Sequence, residues 1–248
     1  MSAYGLIGYP LSHSFSPAYF EKKFAALHRN DSYALFPLQD INELPALLKA
    51  HPSLAGLNVT IPYKEAILPY LDYIDPTALA IGAVNCIKMN HGKLLGFNTD
   101  WIGFSKSMQP LLDPQKDYTA LVLGTGGASK AVQYALSQLQ IPFQLVSRNA
   151  TSSSIHYDAL TPSIITAHKL IINTTPVGMY PDVAACPLAF TEALGDQHIV
   201  IDLLYNPSET LLLQKAAAKG ALIKNGYDML CFQADACWEL WQQAYPTE

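Results

Sequence analysis

The chain has 248 residues, half of them hydrophobic and 14% charged, with a formal net charge of −5 and a pI near 5.8. A chain of this length buries roughly 75% of the surface its unfolded form exposes, so one large or two smaller packed domains are expected and disorder is excluded. The acidic balance leaves no electrostatic footprint for nucleic acid or an anionic membrane, and no apolar run reaches transmembrane length, so neither partner is expected.

The first residues, "MSAYGLIGYP", lack the basic start and long apolar stretch of a signal peptide, so a cytoplasmic location is expected. Short apolar runs then alternate with helical patterns: "YGLIGY" (4–9), a helix over about 17–27, "SYALFPL" (32–38), a helix near 41–50 and "LAGLNVT" (54–60). That alternation predicts an α/β domain with a mainly parallel sheet. Pro62 is expected to open a further helix, and "AVNCIKMNHGKLLGFN" (83–98) reads as a hairpin turning around residues 90–92. A helix from Thr99 leads to "DPQKD", whose proline and charges suggest a domain junction. The alternation restarts with "YTALVLG", a helix over 127–139, "FQLVS", "KLIINT", "HIVIDLL", a helix near 208–219 and "ALIK", with "NATSSS" (149–154) as a loop. The closing "GYDMLCFQADACWELWQQAY" is an amphipathic helix expected to pack back on the first domain.

Cys86, Cys186, Cys231 and Cys237 lie far apart or inside apolar patterns, without C-x-x-C spacing or a nearby histidine pair. They read as buried free thiols, with neither disulfide nor zinc implied. The seven histidines are scattered, and His13 by itself says little.

"LVLGTGGASKA" runs a strand through small residues into a helix, which aims backbone N–H groups and the positive helix end at one spot suited to a pyrophosphate. Gly124 and Gly126 fit a G-x-G-x-x-G fingerprint, and Ser129 stands at the third place, where a small residue suffices for helix–strand packing. The glycines alone are equally compatible with a ligand-free turn. A dinucleotide site that prefers NAD commonly carries an acid about 20 residues on. Here "FQLVS" ends in Ser147, Arg148 and Asn149, and an arginine at that tip matches a 2′-phosphate, favouring NADP over NAD.

Polar groups also gather at element ends in the first half. Ser12, Ser14 and Ser16 precede the first helix; Ser16 alone reads as a cap, while alternating hydroxyls at a positive helix end also suit a carboxylate. "NVTIPYKE" ends a strand in Asn58 and Thr60 and sets Lys64 in the expected helix's first turn, where the dipole would lower its pKa and suit it to acid–base work; taken singly it also reads as a surface lysine. Asp100 stands at another helix start, where Thr99 or Asp100 as a cap is the plain reading. Asn85 and Gln233 lie in apolar surroundings, and buried amides need partners. Together these groups suggest a polyhydroxylated acid as ligand.

The segments "GYPLSHSFSP", "GLNVTIPYKE", "IGAVN", "GFNTDWIGF", "LGTGGASKA", "INTTPVGM", "IDLLYNP" and "GYDMLCFQA", in this order, resemble the shikimate dehydrogenase family over nearly the whole chain. The resemblance implies an N-terminal α/β substrate domain (1–100, completed by 226–248) and a Rossmann-like NADP-binding domain (101–225) with a cleft between them. It also implies an NADP-dependent oxidoreductase that reversibly reduces 3-dehydroshikimate to shikimate, as a monomer or homodimer. By the same likeness Ser14 and Ser16 hold the substrate carboxylate. Asn58, Thr60, Asn85, Tyr205 and Gln233 surround the ring hydroxyls, and Lys64 with Asp100 forms the catalytic pair. Gly124, Thr125, Gly126, Gly127, Ala128 and Ser129 match the phosphate turn, Ser147 and Arg148 the adenosine-phosphate tip, and Thr174, Met179, Leu203 and Gly226 the nicotinamide half. Asn149 stands where the family's tip has threonine, and Cys86 where threonine commonly follows "GAVN". Related alternatives are an NAD-linked quinate/shikimate dehydrogenase and a non-catalytic metabolite sensor; an acidic residue in place of Arg148 would mark the first, and loss of Lys64 or Asp100 the second.

Overall fold

In the computed structural model, residues 1–12 and 14–245 are described; His13 and the last three residues of the expected final segment lie outside them. The chain opens with β1 (Ala3–Gly8), α1 (Ser16–Ala26), β2 (Ser32–Pro37), α2 (Leu44–Ala50), β3 (Leu54–Val59) and the short β4 (Tyr73–Ile74). Then come α3 (Pro76–Ile81), β5 (Cys86–Asn90), β6 (Lys93–Phe97) and α4 (Asp100–Met108). The second half carries β7 (Ala120–Leu123), α5 (Gly127–Gln138), β8 (Phe143–Ser147), β9 (Ser154–His156), α6 (Pro162–Ala167) and β10 (Leu170–Asn173). It ends with β11 (Ile199–Asp202), α7 (Leu211–Ala217), β12 (Leu222–Lys224) and α8 (Tyr227–Gln242).

The fold is α/β in two units: Met1–Thr99 with Gln233–Glu248, and Asp100–Phe232. The boundary therefore falls at Thr99/Asp100, and the "DPQKD" loop lies inside the second unit rather than at the junction. In the first unit the sheet runs β2-β1-β3-β5-β6-β4. β1 pairs in parallel with β2 and β3, while the β5–β6 hairpin joins β3 antiparallel. Alternate residues of β1 serve opposite faces, as the period of a strand dictates: Tyr4 and Leu6 pack with Phe20, Phe24, Trp238 and Trp241, and Ile7 packs with Leu57, Val59 and Ile67.

In the second unit the sheet runs β12-β11-β10-β7-β8-β9, with every pairing parallel. Numbered within the unit, this is the order of a doubly wound dinucleotide-binding sheet, and the switch point lies between β7 and β10. Its central strands read as unbroken apolar runs because helices cover both faces. Ala120, Val122 and Ile172 pack with Phe104, Met108, Val132 and Leu136, whereas Leu121, Leu123 and Ile171 pack with Ile165, Leu212 and Leu213.

Pro62 opens no helix. Residues 61–67 form successive turns that end in a 3₁₀ turn at Leu68–Tyr70. The Lys64 carbonyl accepts from Val84 N at 2.7 Å, and Leu68 N bonds to Glu65 instead, so the i to i+4 ladder a helix needs is diverted into tertiary contact. The dipole argument for Lys64 falls with that helix.

The reading of the cysteines as free thiols is corrected for one pair. Cys86 on β5 and Cys237 on α8 form a disulfide with Cα atoms 6.0 Å apart, while Cys186 and Cys231 form no disulfide and are half-buried. The two bonded positions are 151 residues apart, a spacing without any local signal; only the packing of α8 on the sheet joins them. Lys88, two residues on and also buried, donates to the carbonyls of Leu240, Trp241 and Gln243, and so caps the end of α8 from the sheet. Alkylation of the unfolded, unreduced protein is expected to modify two cysteines, and all four after reduction. Mass spectrometry reads the count, and four modified thiols without reductant would contradict the cross-link.

Candidate active site

In the first unit the implied substrate residues Asn58, Asn85 and Gln233 are joined by hydrogen bonds, and Ser14 and Ser16 form a separate pair. α1 starts one residue earlier than expected, at Ser16. The residue before it is Phe15, which supplies no side-chain cap, so the reading of Ser16 as a capping residue is corrected. The Ser14 hydroxyl accepts the Ser16 N–H at 3.3 Å, and the Ser16 hydroxyl lies near the phenol of Tyr33. Tyr33 in turn donates to Asn58 Oδ1 at 2.8 Å. Burial pushes the Tyr33 phenol far above its ordinary range and the nearby Ser16 hydroxyl only partly offsets this, so it remains a donor at all working pH values.

Asn58, near the end of β3, sends its Nδ2 to the Asn85 carbonyl at 3.4 Å and to Cys237 Sγ at 3.2 Å. Asn85 lies just before β5. Its Nδ2 donates to Thr99 Oγ1 at 2.9 Å and to Gln233 Oε1 at 3.1 Å, and its Oδ1 accepts the Thr99 N–H at 2.6 Å. Segments at positions 58, 85, 99 and 233 thus converge because β3 and β5 are sheet neighbours and α8 packs over them. Thr60 follows β3 directly, its N–H held by the Ile7 carbonyl at 2.9 Å, and Lys64 is half-buried on the turn beyond it. The remaining two implied substrate-side residues belong to the second unit: Asp100, buried at the start of α4, and Tyr205, half-buried after β11.

In the second unit β7 leads into the glycine turn and α5. Gly124 has φ +104°, and a Cβ there would press on Thr174 Oγ1 at 2.7 Å, so glycine is required twice over. Gly126 caps α5, and a Cβ added to it would meet no protein atom within 4 Å; the turn leaves open space above its backbone. Ser129 is fully buried and donates to the Gly124 carbonyl at 2.7 Å, tying the helix back onto the turn. Its hydroxyl therefore does with a hydrogen bond what the third glycine of the fingerprint does by small size.

At the tip of β8, Ser147 is buried and accepts the Asn149 N–H at 3.1 Å, while Arg148 is exposed and close enough to Tyr157 to lower that phenol's pKa against the dominant effect of burial. Thr174 follows β10 and donates to the Leu123 carbonyl at 2.6 Å. Leu203 follows β11, and a Cβ added to Gly226 would overlap the Leu203 carbonyl, so glycine alone fits where α8 begins. Met179 is exposed on the turn beyond Thr174. The structure thus brings the glycine turn, Thr174, Leu203 and Gly226 together around the ends of β7, β10 and β11, with Arg148 one strand away at the end of β8.

Four contributors escape a reading of the sequence. Tyr33 and Thr99 link the amides of the first unit. Asn173 and Asp202 hold the loops of the second: Asn173 donates to Asp202 Oδ1 at 2.9 Å and accepts from Thr175 N, while Asp202 accepts from Leu204 N and from Thr210 Oγ1 at 2.6 Å. Burial raises the Asp202 pKa and these donated hydrogen bonds restrain the rise. The available signal was a lone polar residue closing an apolar run, as in "LIIN" and "IVID", since ligands meet a parallel sheet at those strand ends. Among the described residues no group of three or more His, Cys, Asp or Glu side chains could hold a metal, and no helix is long and apolar enough to cross a membrane.

Residues 6–87 match the model of the shikimate dehydrogenase substrate binding domain. The NADP(+) shikimate dehydrogenase of Bacillus cereus strain AH187 is 37% identical over 98% of this chain and 94% of its own length. The crystal structure of shikimate dehydrogenase from Aquifex aeolicus superposes with a TM-score of 0.88 at 35% identity, covering 98% of this chain and 92% of that one. The shikimate 5-dehydrogenase of Thermus thermophilus, solved in complex with NADP(H) and shikimate, gives a TM-score of 0.88 at 32% identity, covering 100% of this chain and 95% of that one. A likeness that runs the length of both units, at this level of identity, shows that the chain belongs to the shikimate dehydrogenase family of oxidoreductases.

Proposed function

We propose that this chain catalyses the reversible reduction of 3-dehydroshikimate to shikimate, with NADPH as electron donor. The observation that carries the reading is the buried polar cluster of Asn58, Asn85, Thr99 and Gln233 beside Ser14 and Ser16, a set of donors and acceptors matched to a ring bearing several hydroxyls and one carboxylate. The complex of the Thermus thermophilus relative supports both ligand classes. In this reading the first unit binds substrate, joined by Tyr205, and the second binds the dinucleotide.

The residues of the second unit fit that cofactor. The open space over Gly126 admits a pyrophosphate to the backbone between Gly124 and Ser129, where the α5 N-terminus favours negative charge. Arg148, with Ser147, suits the 2′-phosphate, and Thr174, Met179, Leu203 and Gly226 line the nicotinamide half. When bound, the cofactor supplies the hydride. Ser14 and Ser16 anchor the carboxylate, the amides fix the ring, Lys64 exchanges the proton of the reacting oxygen, and Asp100 orients Lys64 and the hydroxyl.

The test is a spectrophotometric assay of nicotinamide reduction with shikimate or quinate, each offered with NADP or NAD. Shikimate with NADP is expected to give the highest kcat/KM. Preference for quinate with NAD would replace the reading with the related quinate/shikimate activity, and tight shikimate binding without turnover would replace it with a sensor.

A further inference from the structure

We infer that Tyr33 is a positioning residue for substrate, acting through Asn58, an assignment that rests on the proposed reading of the site. Its phenol donates to Asn58 Oδ1 at 2.8 Å and so fixes one of the buried amides implied around the ring hydroxyls. An asparagine side chain can present either its oxygen or its NH₂ to a given direction, and the two choices offer a ligand opposite chemistry. The bond that Tyr33 donates to Oδ1 settles this choice. With Oδ1 committed to the phenol, the NH₂ must face the other way, toward the Asn85 carbonyl and Cys237 Sγ, where a ligand hydroxyl oxygen would replace the weakly accepting sulfur. Tyr33 is itself held without freedom to turn away. It lies on β2, packed into the core of the first unit, and its ring stacks on Phe20 with centroids 4.6 Å apart and planes within 8°. A rigid ring with one fixed hydroxyl therefore sets the orientation of an amide implied at the ring hydroxyls.

Tyr33→Phe removes only the hydroxyl and keeps the stack on Phe20, so the variant is expected to fold. Steady-state kinetics are then measured for the wild type, Tyr33→Phe, Asn58→Ala and the double variant, with thermal midpoints alongside. Tyr33→Phe is expected to raise KM for shikimate about tenfold, the worth of one hydrogen bond, and to leave KM for NADP unchanged. In the Asn58→Ala background the same substitution is expected to change KM for shikimate less than twofold, because its target is gone. A lowered thermal midpoint with unchanged KM, or equal effects in both backgrounds, overturns the inference while leaving the proposed reaction intact. A wild type that turns over no shikimate overturns both.

Discussion

Replacing Lys64 with alanine is expected to lower kcat for shikimate oxidation by about 10²–10⁴-fold, the range for loss of a general acid–base group, with KM for shikimate changed far less. The split follows from the division of labour proposed above. In that proposal binding rests on Ser14, Ser16 and the amides of the first unit, while Lys64 would act on the proton that moves only as the bond to hydrogen changes at the ring. Lys64→Arg is expected to be nearly as inactive, because a guanidinium keeps the positive charge but does not release its proton near neutral pH. The arginine variant thus separates proton exchange from simple charge stabilisation. Steady-state assays with saturating NADP give both constants, and full turnover in Lys64→Ala would remove this residue from the mechanism.

Arg148→Ala is expected to raise KM for NADP by roughly 10- to 100-fold, the worth of a hydrogen bond to a charged group, and to leave KM for NAD within about twofold. The side chain is exposed at the end of β8, next to the strand that feeds the glycine turn, and no acidic residue occupies this tip to prefer a ribose hydroxyl. The neighbouring Ser147 hydroxyl accepts the Asn149 N–H and so shapes the tip. Equal losses with both cofactors would mean that Arg148 supports the loop and reads no 2′-phosphate. The comparison is made at constant ionic strength, since an exposed charge is readily screened.

Much of this molecule follows from local rules. The apolar runs of β7, β10 and β11 are unbroken because both faces of a parallel sheet are covered, and the glycine turn after β7 is specified by a positive φ at Gly124 and by small residues around it. The same kind of pattern predicts the alternation of the first sheet and the hairpin over β5 and β6. The residues implied for substrate, Asn58, Asn85 and Gln233, were visible as polar groups in apolar company, where burial demands partners.

Which partners they have was decided by the tertiary structure. Pairing of Asn85 with Gln233, of Tyr33 with Asn58 and of Cys86 with Cys237 spans 148, 25 and 151 residues, and nothing in a local window couples such positions. Lys64 shows the same limit from the other side. Its surroundings read as a helix start, yet its carbonyl is taken by Val84 and the helix never forms. Sequence alone determined the two-unit α/β plan, through hydrophobic periodicity and turn chemistry that act over a few residues. The folded chain alone decided how hydrogen bonds and sulfur atoms were shared, because those choices are settled only when distant strands and α8 compete for the same buried polar groups.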